Sequence, residues 1–299
     1  MIKGFEQQYG IDYTETFAPV AKLATVRLLI ALAAHYGWNI EQMDVKTAFL
    51  NPELHEEVYM ELPEGFEWLA DENDKGAKYI KLRKALYGLK QAPREWYHDI
   101  NAYLTNVLEF KQLAGDSNVY MKPNCILPLW VDDMLLFSPQ NASENMVQTK
   151  QQLRQKYEMT DLGLANLFLG IQSDKAENGD IKIHQTQYIE SILKRFNMDK
   201  SHGIATPMIP NSKLSRCKDS SQLLDNEEKL VYQSIVGSLM YAMVCTRPDL
   251  AFTLSRLSKF CSEPGKAHMQ AARHALRYLR STTTLGIVYK AQQKASKVI

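Results

Sequence analysis

The chain has 299 residues, of which 45% are hydrophobic and 23% charged, and a net charge of +1; that length holds one large domain or two smaller ones of ordinary globular composition. No run approaches the roughly 18 apolar residues of a membrane span, and no signal peptide opens the chain. The four cysteines show no CxxC pairing and no close histidine spacing, which argues against a zinc site or disulfide framework and for a reducing, intracellular setting.

Charge is unevenly spread. Acids dominate from Glu41 to Asp74, whereas Lys78, Lys81, Arg83, Lys84, Lys90 and Arg94 form a basic cluster. From Arg247 onward ten Lys/Arg stand against Asp249 and Glu263. Such stretches suit a groove for a polyanion or, on charge alone, solvated helix faces.

Ile2-Lys3-Gly4-Phe5 has no preceding cap or turn and reads as the middle of an element. Residues 25–36 read as a helix: Val26, Leu29, Ile30, Ala33 and Ala34 keep helical spacing, Thr25 can cap it and Gly37 can end it. Residues 38–45 alternate as a strand ending near Asp44. Asn51-Pro52 signals a turn, 58–62 a short strand, 65–76 a polar acidic loop, and 79–82 another strand. From Pro93 a helix runs to about Leu108, with Trp96, Ile100, Tyr103 and Leu104 on one face. Residues 119–137 form a strand pair and 144–157 an amphipathic helix. Residues 167–172 and 181–184 read as a hairpin around Asn178-Gly179, a strong turn signal. A short helix at 186–196 and a proline-containing boundary at 206–226 follow, then helices near 229–244, 248–261 and 266–281. The pattern is α+β with a helical appendage, not a doubly wound sheet.

The chemistry centres on Leu129-Trp130-Val131-Asp132-Asp133-Met134-Leu135-Leu136-Phe137. Adjacent carboxylates between apolar runs are costly to bury without a cation, and their repulsion makes a divalent metal the natural partner. An Asp-Asp turn between two strands is the competing reading. Asp44 ends a separate strand. If the strands are neighbours, three carboxylates converge at one sheet edge and suit two Mg²⁺ ions about 3.5–4 Å apart, the clamp for in-line phosphoryl transfer.

Further motifs stand in order along the chain: Gln7-Gln8-Tyr9-Gly10-Ile11-Asp12-Tyr13, Thr16-Phe17-Ala18-Pro19-Val20, Met43-Asp44-Val45-Lys46-Thr47-Ala48-Phe49-Leu50, Leu86-Tyr87-Gly88-Leu89-Lys90-Gln91-Ala92-Pro93, Val131-Asp132-Asp133, Asp161-Leu162-Gly163, Phe168-Leu169-Gly170-Ile171, Thr206-Pro207-Met208, Ser234-Ile235-Val236-Gly237-Ser238-Leu239-Met240-Tyr241 and Thr246-Arg247-Pro248-Asp249. In order and spacing the chain resembles the reverse transcriptase of copia-type LTR retrotransposons. The resemblance implies a right-hand polymerase: palm and fingers over 1–173, an antiparallel sheet with helices, and over 174–299 the remainder of a primer-grip hairpin, a thumb and connecting helices. It implies RNA-directed DNA synthesis, in which a primer 3′-hydroxyl attacks a dNTP on two Mg²⁺ ions, with Mn²⁺ as a substitute, over an RNA/DNA primer–template. It also implies an intracellular setting, a cytoplasmic virus-like particle or the nucleus.

Residue by residue, the resemblance makes Asp44 and Asp132 metal-binding carboxylates and Asp133 the less demanding third. Phe49 matches the aromatic under the incoming sugar, and the amides of Lys46, Thr47 and Ala48 face the triphosphate. Gln91 sits against the nucleotide or template, and Phe168, Leu169 and Gly170 match the hairpin that grips the primer end. Read without the family, Phe49 is core, Gln91 caps the helix from Pro93, Gly170 is a strand bulge, and Arg273, Arg277 and Arg280 are a solvated face or follow a nucleic-acid backbone.

Several positions depart from the family pattern. The basic finger strand expected just before Lys3-Gly4-Phe5 is absent, and the segment from Tyr120 to Val131 is short. Pro128 lies in a strand, where it removes a ladder hydrogen bond. Trp130 replaces a tyrosine, Asn51-Pro52 replaces Asn-Gly, and lysines are missing near Thr160 and Asn166. The chain reads as a polymerase core excised from a longer polyprotein, ending about where an RNase H domain begins. These departures leave an alternative to the enzyme: a degenerate, inactive fragment that at most binds nucleic acid. A domain recruited for protein interaction is a third reading.

Overall fold

A computed structural model describes residues 2–66, 79–217 and 219–292. The chain forms two compact units, Met1–Ala165 and Asn166–Ile299. Most of the acidic loop expected at 65–76 lies outside the described residues.

The first unit is built on a six-stranded antiparallel sheet. In chain order its strands are β1 (Asn39–Val45), β4 (Lys111–Leu113), β5 (Asp116–Lys122), β6 (Cys125–Trp130), β7 (Asp133–Ser138) and β8 (Met159–Leu164), in spatial order β4-β5-β6-β7-β1-β8. A small separate pair joins β2 (Tyr59–Glu61) to β3 (Tyr79–Lys81). Strand alternation divides the central sheet: Met43, Val45, Leu127, Leu129, Met134 and Leu136 enter one core, while Gln42, Asp44 and Asp133 take the other face. Helix α2 (Ala92–Ala102) adds Trp96 and Ile100 to that core, and α3 (Ser143–Lys156) adds Met146 and Leu153.

Helix α1 (Leu23–Tyr36) begins two residues before Thr25, and Lys22 stands at its N-cap without a side-chain bond. It ends as expected on Gly37, whose φ of 69° is the left-handed conformation a helix-ending glycine adopts. The helix from Pro93 does not run regularly to Leu108. It passes into a π-turn at Tyr103–Val107, and Leu104 still reaches the core.

Pro128 sits in a central strand. On one side β6 pairs regularly with β5 from Lys122↔Cys125 to Val119↔Pro128. On the other, the pairing with β7 holds Ile126↔Phe137, Leu129↔Met134 and Trp130↔Asp133 and skips Leu127 and Pro128. A proline has no N–H to give, so the interruption falls where the residue dictates.

The second unit has a four-stranded sheet, β12-β11-β10-β9, made of β9 (Leu167–Phe168), β10 (Ile171–Lys175), β11 (Ile181–His184) and β12 (Gly286–Tyr289). Its separate core is helical: α4 (Thr186–Arg195), α5 (Asn226–Cys245), α6 (Ala251–Leu257) and α7 (Lys266–Ser281) bury Ile192, Leu239, Leu254 and Leu276 among others. The expected hairpin around Asn178-Gly179 forms between β10 and β11. Residues 167–172 are not one strand but a second hairpin, because Leu169 and Gly170 turn the chain at φ of 51° and 70°. Two successive positive φ values are the signature of a two-residue type I′ turn. The fold is thus α+β: antiparallel sheets with helices, followed by a mostly helical region.

Candidate active site

Asp44, next to last in β1, lies directly opposite Asp133, the first residue of β7. Side chains of directly paired residues share a sheet face, so these two carboxylates are brought together by register alone. Val131 and Asp132 form the two-residue turn between Trp130 and Asp133. The Asp132 carbonyl accepts from the Val45 N–H at 3.0 Å, which ties this turn to the end of β1. All three aspartates are half-buried.

The turn is strained and braced. Val131 has φ +55°, a conformation unfavourable for a β-branched residue. Its carbonyl accepts a 2.7 Å hydrogen bond from Nε1 of the buried Trp96 on α2. Gln42, two residues before Asp44 on the same face, donates from Nε2 to Asp133 Oδ1 at 3.0 Å. Gln42 itself lies opposite Gly163, where a bulge shifts the β1–β8 register. That bulge is fastened by the Asp161 carboxylate, which accepts from the Gly163 N–H and pairs with the buried Lys150 of α3 at 2.7 Å.

Electrostatics mark the site. Burial, then the neighbouring Asp132, raises the Asp44 carboxyl above the usual aspartate range. Asp133 is raised by burial, partly offset by Gln42, with Asp132 and Asp44 adding to the rise. This mutual repulsion is what a divalent cation relieves. Among the described residues no group of three or more His, Cys, Asp or Glu side chains holds a metal by itself. The arrangement still fits Mg²⁺, which is commonly held by one or two carboxylates together with substrate phosphates.

The other expected site residues fall into two groups. Lys46, Thr47, Ala48 and Phe49 follow β1 immediately. The Lys46 N–H donates to the Glu158 carbonyl at 2.9 Å, and its ammonium pairs with the Glu158 carboxylate at 2.8 Å. Thr47 has φ +48° and opens a single 3-10 turn over Ala48–Leu50, with Ala48 and Phe49 buried. Gln91 is fully buried. It donates to the Asp12 carbonyl at 2.9 Å and to Glu56 Oε2 at 2.7 Å, and accepts from Gln7 Nε2 at 2.9 Å. Its side chain makes no cap bond to α2. Phe168, Leu169 and Gly170 belong to the second unit. There Tyr241 of α5 hydrogen-bonds the Leu169 carbonyl, and a Cβ on Gly170 would stand 3.1 Å from the Tyr241 hydroxyl.

Sequence reasoning missed three supports of the site: Gln42, Trp96 in its bracing role, and Tyr87. Tyr87 packs on Phe49 with ring centroids 4.5 Å apart. Burial and then the charges of Asp132 and Asp44 raise its hydroxyl pKa. Its one legible signal was its place in the Leu86-Tyr87-Gly88-Leu89 motif.

Residues 1–210 match the family model for reverse transcriptase (RNA-dependent DNA polymerase). The chain is 42% identical over 95% of its length to the retrovirus-related Pol polyprotein from transposon TNT 1-94 of Nicotiana tabacum, covering 21% of it. It is 37% identical over 96% of its length to the corresponding polyprotein from transposon RE1 of Arabidopsis thaliana, covering 19% of it. With the putative transposon Ty5-1 protein of Saccharomyces cerevisiae it shares 34% identity over 83% of its own length and 79% of that protein. The chain therefore spans about a fifth of the two polyproteins and most of the yeast protein.

Proposed function

The chain belongs to the reverse transcriptase (RNA-dependent DNA polymerase) family in its copia-type branch, and we propose that it carries out RNA-directed DNA synthesis, joining a dNTP to a primer 3′-hydroxyl with release of pyrophosphate. The reading rests on the in-register pairing of Asp44 with Asp133 beside the Asp132 turn.

Asp44 and Asp132, with Asp133 as the subordinate third, would hold two Mg²⁺ ions, or Mn²⁺ in their place. Bound there, the ions lower the pKa of the attacking hydroxyl and neutralise charge at phosphorus. The chain's own contribution is positioning and electrostatics. Gln42 orients Asp133, and Trp96 fixes the turn that presents Asp132. The Thr47 and Ala48 amides, at the open start of the 3-10 turn, face the triphosphate. The Lys46 amide is already engaged, and Lys46 instead anchors the segment to Glu158. Phe49 lies beneath the sugar, and the Gln91 network holds the adjoining loop. The turn at Phe168-Leu169-Gly170 grips the primer end. Residues 1–173 act as palm and fingers, 174–299 as thumb and connection, on an RNA/DNA primer–template inside the cell. No described helix is long and apolar enough to cross a membrane.

The skipped pairing at Pro128 favours one competing reading, a chain that binds primer–template without turnover. Primer extension on poly(rA)–oligo(dT) with Mg²⁺ and dTTP separates the two. Extension that falls about a thousandfold in Asp132→Ala supports the polymerase. Salt-sensitive duplex binding without extension in the folded wild type leaves the binding-only reading.

A further inference from the structure

We infer that Lys150 is a positioning residue: from behind the six-stranded sheet it clamps Glu41 of β1 to Asp161 of β8 and so holds Gln42, on the front face, at Asp133. Its effect at a metal rests on the polymerase reading above.

Lys150 stands where α3 is otherwise apolar. Met146 and Leu153, one turn to either side on the same helix face, enter the core, and Lys150 between them is only 7% exposed. A buried ammonium is costly, and an apolar side chain of similar size often holds a fold as well or better. This ammonium bonds the Glu41 carboxylate and, at 2.7 Å, Asp161 Oδ1. Arg154, one turn on, pairs with Asp161 Oδ2 at 3.4 Å. Burial alone would raise the Asp161 carboxyl, but the bonds from Lys150 and the Gly163 N–H bring it below the usual range. The cation thus ties together carboxylates carried by neighbouring strands.

The clamp falls where those strands change register. β1 and β8 pair as Val45↔Met159, Asp44↔Thr160 and Met43↔Asp161, then as Gln42↔Gly163 and Glu41↔Leu164. Leu162 is the extra residue of the bulge, and Gly163 takes a φ of 67° beside it. Asp161 Oδ1 accepts from the Gly163 N–H at 3.0 Å, so the oxygen that receives Lys150 also closes the bulge. Glu41 and Gln42 are successive strand residues and point to opposite faces. Lys150 therefore fixes β1 from behind, beside the residue that donates to Asp133 Oδ1 in front. Without the cation, Glu41 and Asp161 repel each other across the strand pair. The bulge then loosens, and Gln42 loses its hold on Asp133.

The first test uses the full chain without metal. In nitrogen–proton NMR the side-chain amide of Gln42, assigned by its loss in Gln42→Met, reads the bond to Asp133, with Asp133→Ala as the broken reference. Lys150→Met is expected to move that signal towards the reference. Glu41→Gln, which keeps the side-chain shape and the Asp161 pair, should move it the same way by less, and it serves where Lys150→Met fails to fold. A signal that stays in place in the folded variants overturns the clamp.

The second test measures Mn²⁺ binding by electron paramagnetic resonance, without turnover. Lys150→Met should weaken it about tenfold or more, the scale for groups that orient metal ligands. In a Gln42→Met background the same substitution should cost no further affinity, because its effect runs through Gln42. Losses that simply add overturn the inference. Primer extension by the wild type reports on the polymerase separately: a chain that extends no primer yet shows the amide shift and the non-additive Mn²⁺ loss keeps the clamp and removes the polymerase. A wild type that binds no Mn²⁺ overturns both.

Discussion

Asp44 and Asp133 stand opposite each other in β1 and β7, and burial with neighbouring carboxylates raises both above the ordinary aspartate range. An acid raised in the folded state holds its proton more tightly there than when unfolded. Its contribution to stability is therefore fully present below the ordinary aspartate pKa and falls as pH rises through the raised folded value. In metal-free buffer, Asp44→Asn should raise the melting temperature at neutral pH, with the gain shrinking below about pH 4. The same variant should lose activity about a thousandfold, and a neutral-pH destabilisation would contradict the electrostatic account. Trp96→Phe tests the brace. It leaves the Val131 carbonyl without its donor and should cost about 1–3 kcal/mol in urea unfolding. The aspartates were legible because charge between apolar runs demands a partner. Gln42 was not, because a glutamine in a strand looks like any surface residue until its register is known.

Two elements show how much of the motif pattern is architecture. Thr246-Arg247-Pro248-Asp249 links α5 to α6, and its arginine is 1% exposed. The guanidinium bonds both Asp249 oxygens at 2.8 and 3.0 Å and both the carbonyl and hydroxyl of Thr282, each at 2.8 Å. Tyr278 on α7 donates to Asp249 at 2.8 Å. Burial alone would raise the Asp249 carboxyl, but these bonds more than offset it. Arg247→Ala removes a buried guanidinium and leaves the Thr282 carbonyl without its donor, and should cost about 1–3 kcal/mol; Arg247→Lys should recover little, lacking the planar fork. On α7, Arg277 and Arg280 donate to the carbonyls of His202 and Asp199 at 2.8 and 2.7 Å, so part of the basic face is committed to the fold. In the first unit, Pro128→Val should shift stability by less than about 1 kcal/mol, because the new ladder bond opposes the freer unfolded chain. Amide exchange in β6 reads that bond directly and should slow. Helical spacing and Asn-Gly turns carried these elements into the sequence. The Leu169-Gly170 turn and β12 were invisible there, since one puts a leucine at positive φ and the other depends on β11 lying beside it.

Each of the two units carries its own hydrophobic core. The first draws residues from Met43 to Tyr157, the second from Ile189 to Leu279. The backbone passes from one unit to the other at Ala165–Asn166. A sequence boundary near 173 follows the end of a motif. The second unit begins earlier, at Asn166, and takes in β9, which pairs with β10 of its sheet. Separate cores predict that unfolding is not a single two-state event. The chain supplies its own reporter, since all four tryptophans, Trp38, Trp68, Trp96 and Trp130, precede residue 165. Tryptophan fluorescence in urea should therefore follow the first unit, while the helical circular dichroism signal follows both. Arg247→Ala should lower the midpoint of one circular dichroism phase and leave the fluorescence midpoint in place. Trp96→Phe should shift fluorescence and the other phase. If either substitution moves both probes together, the cores share one cooperative transition, and the stability of the six-stranded sheet must then be sought in the helices of the second unit as well as in its own strands.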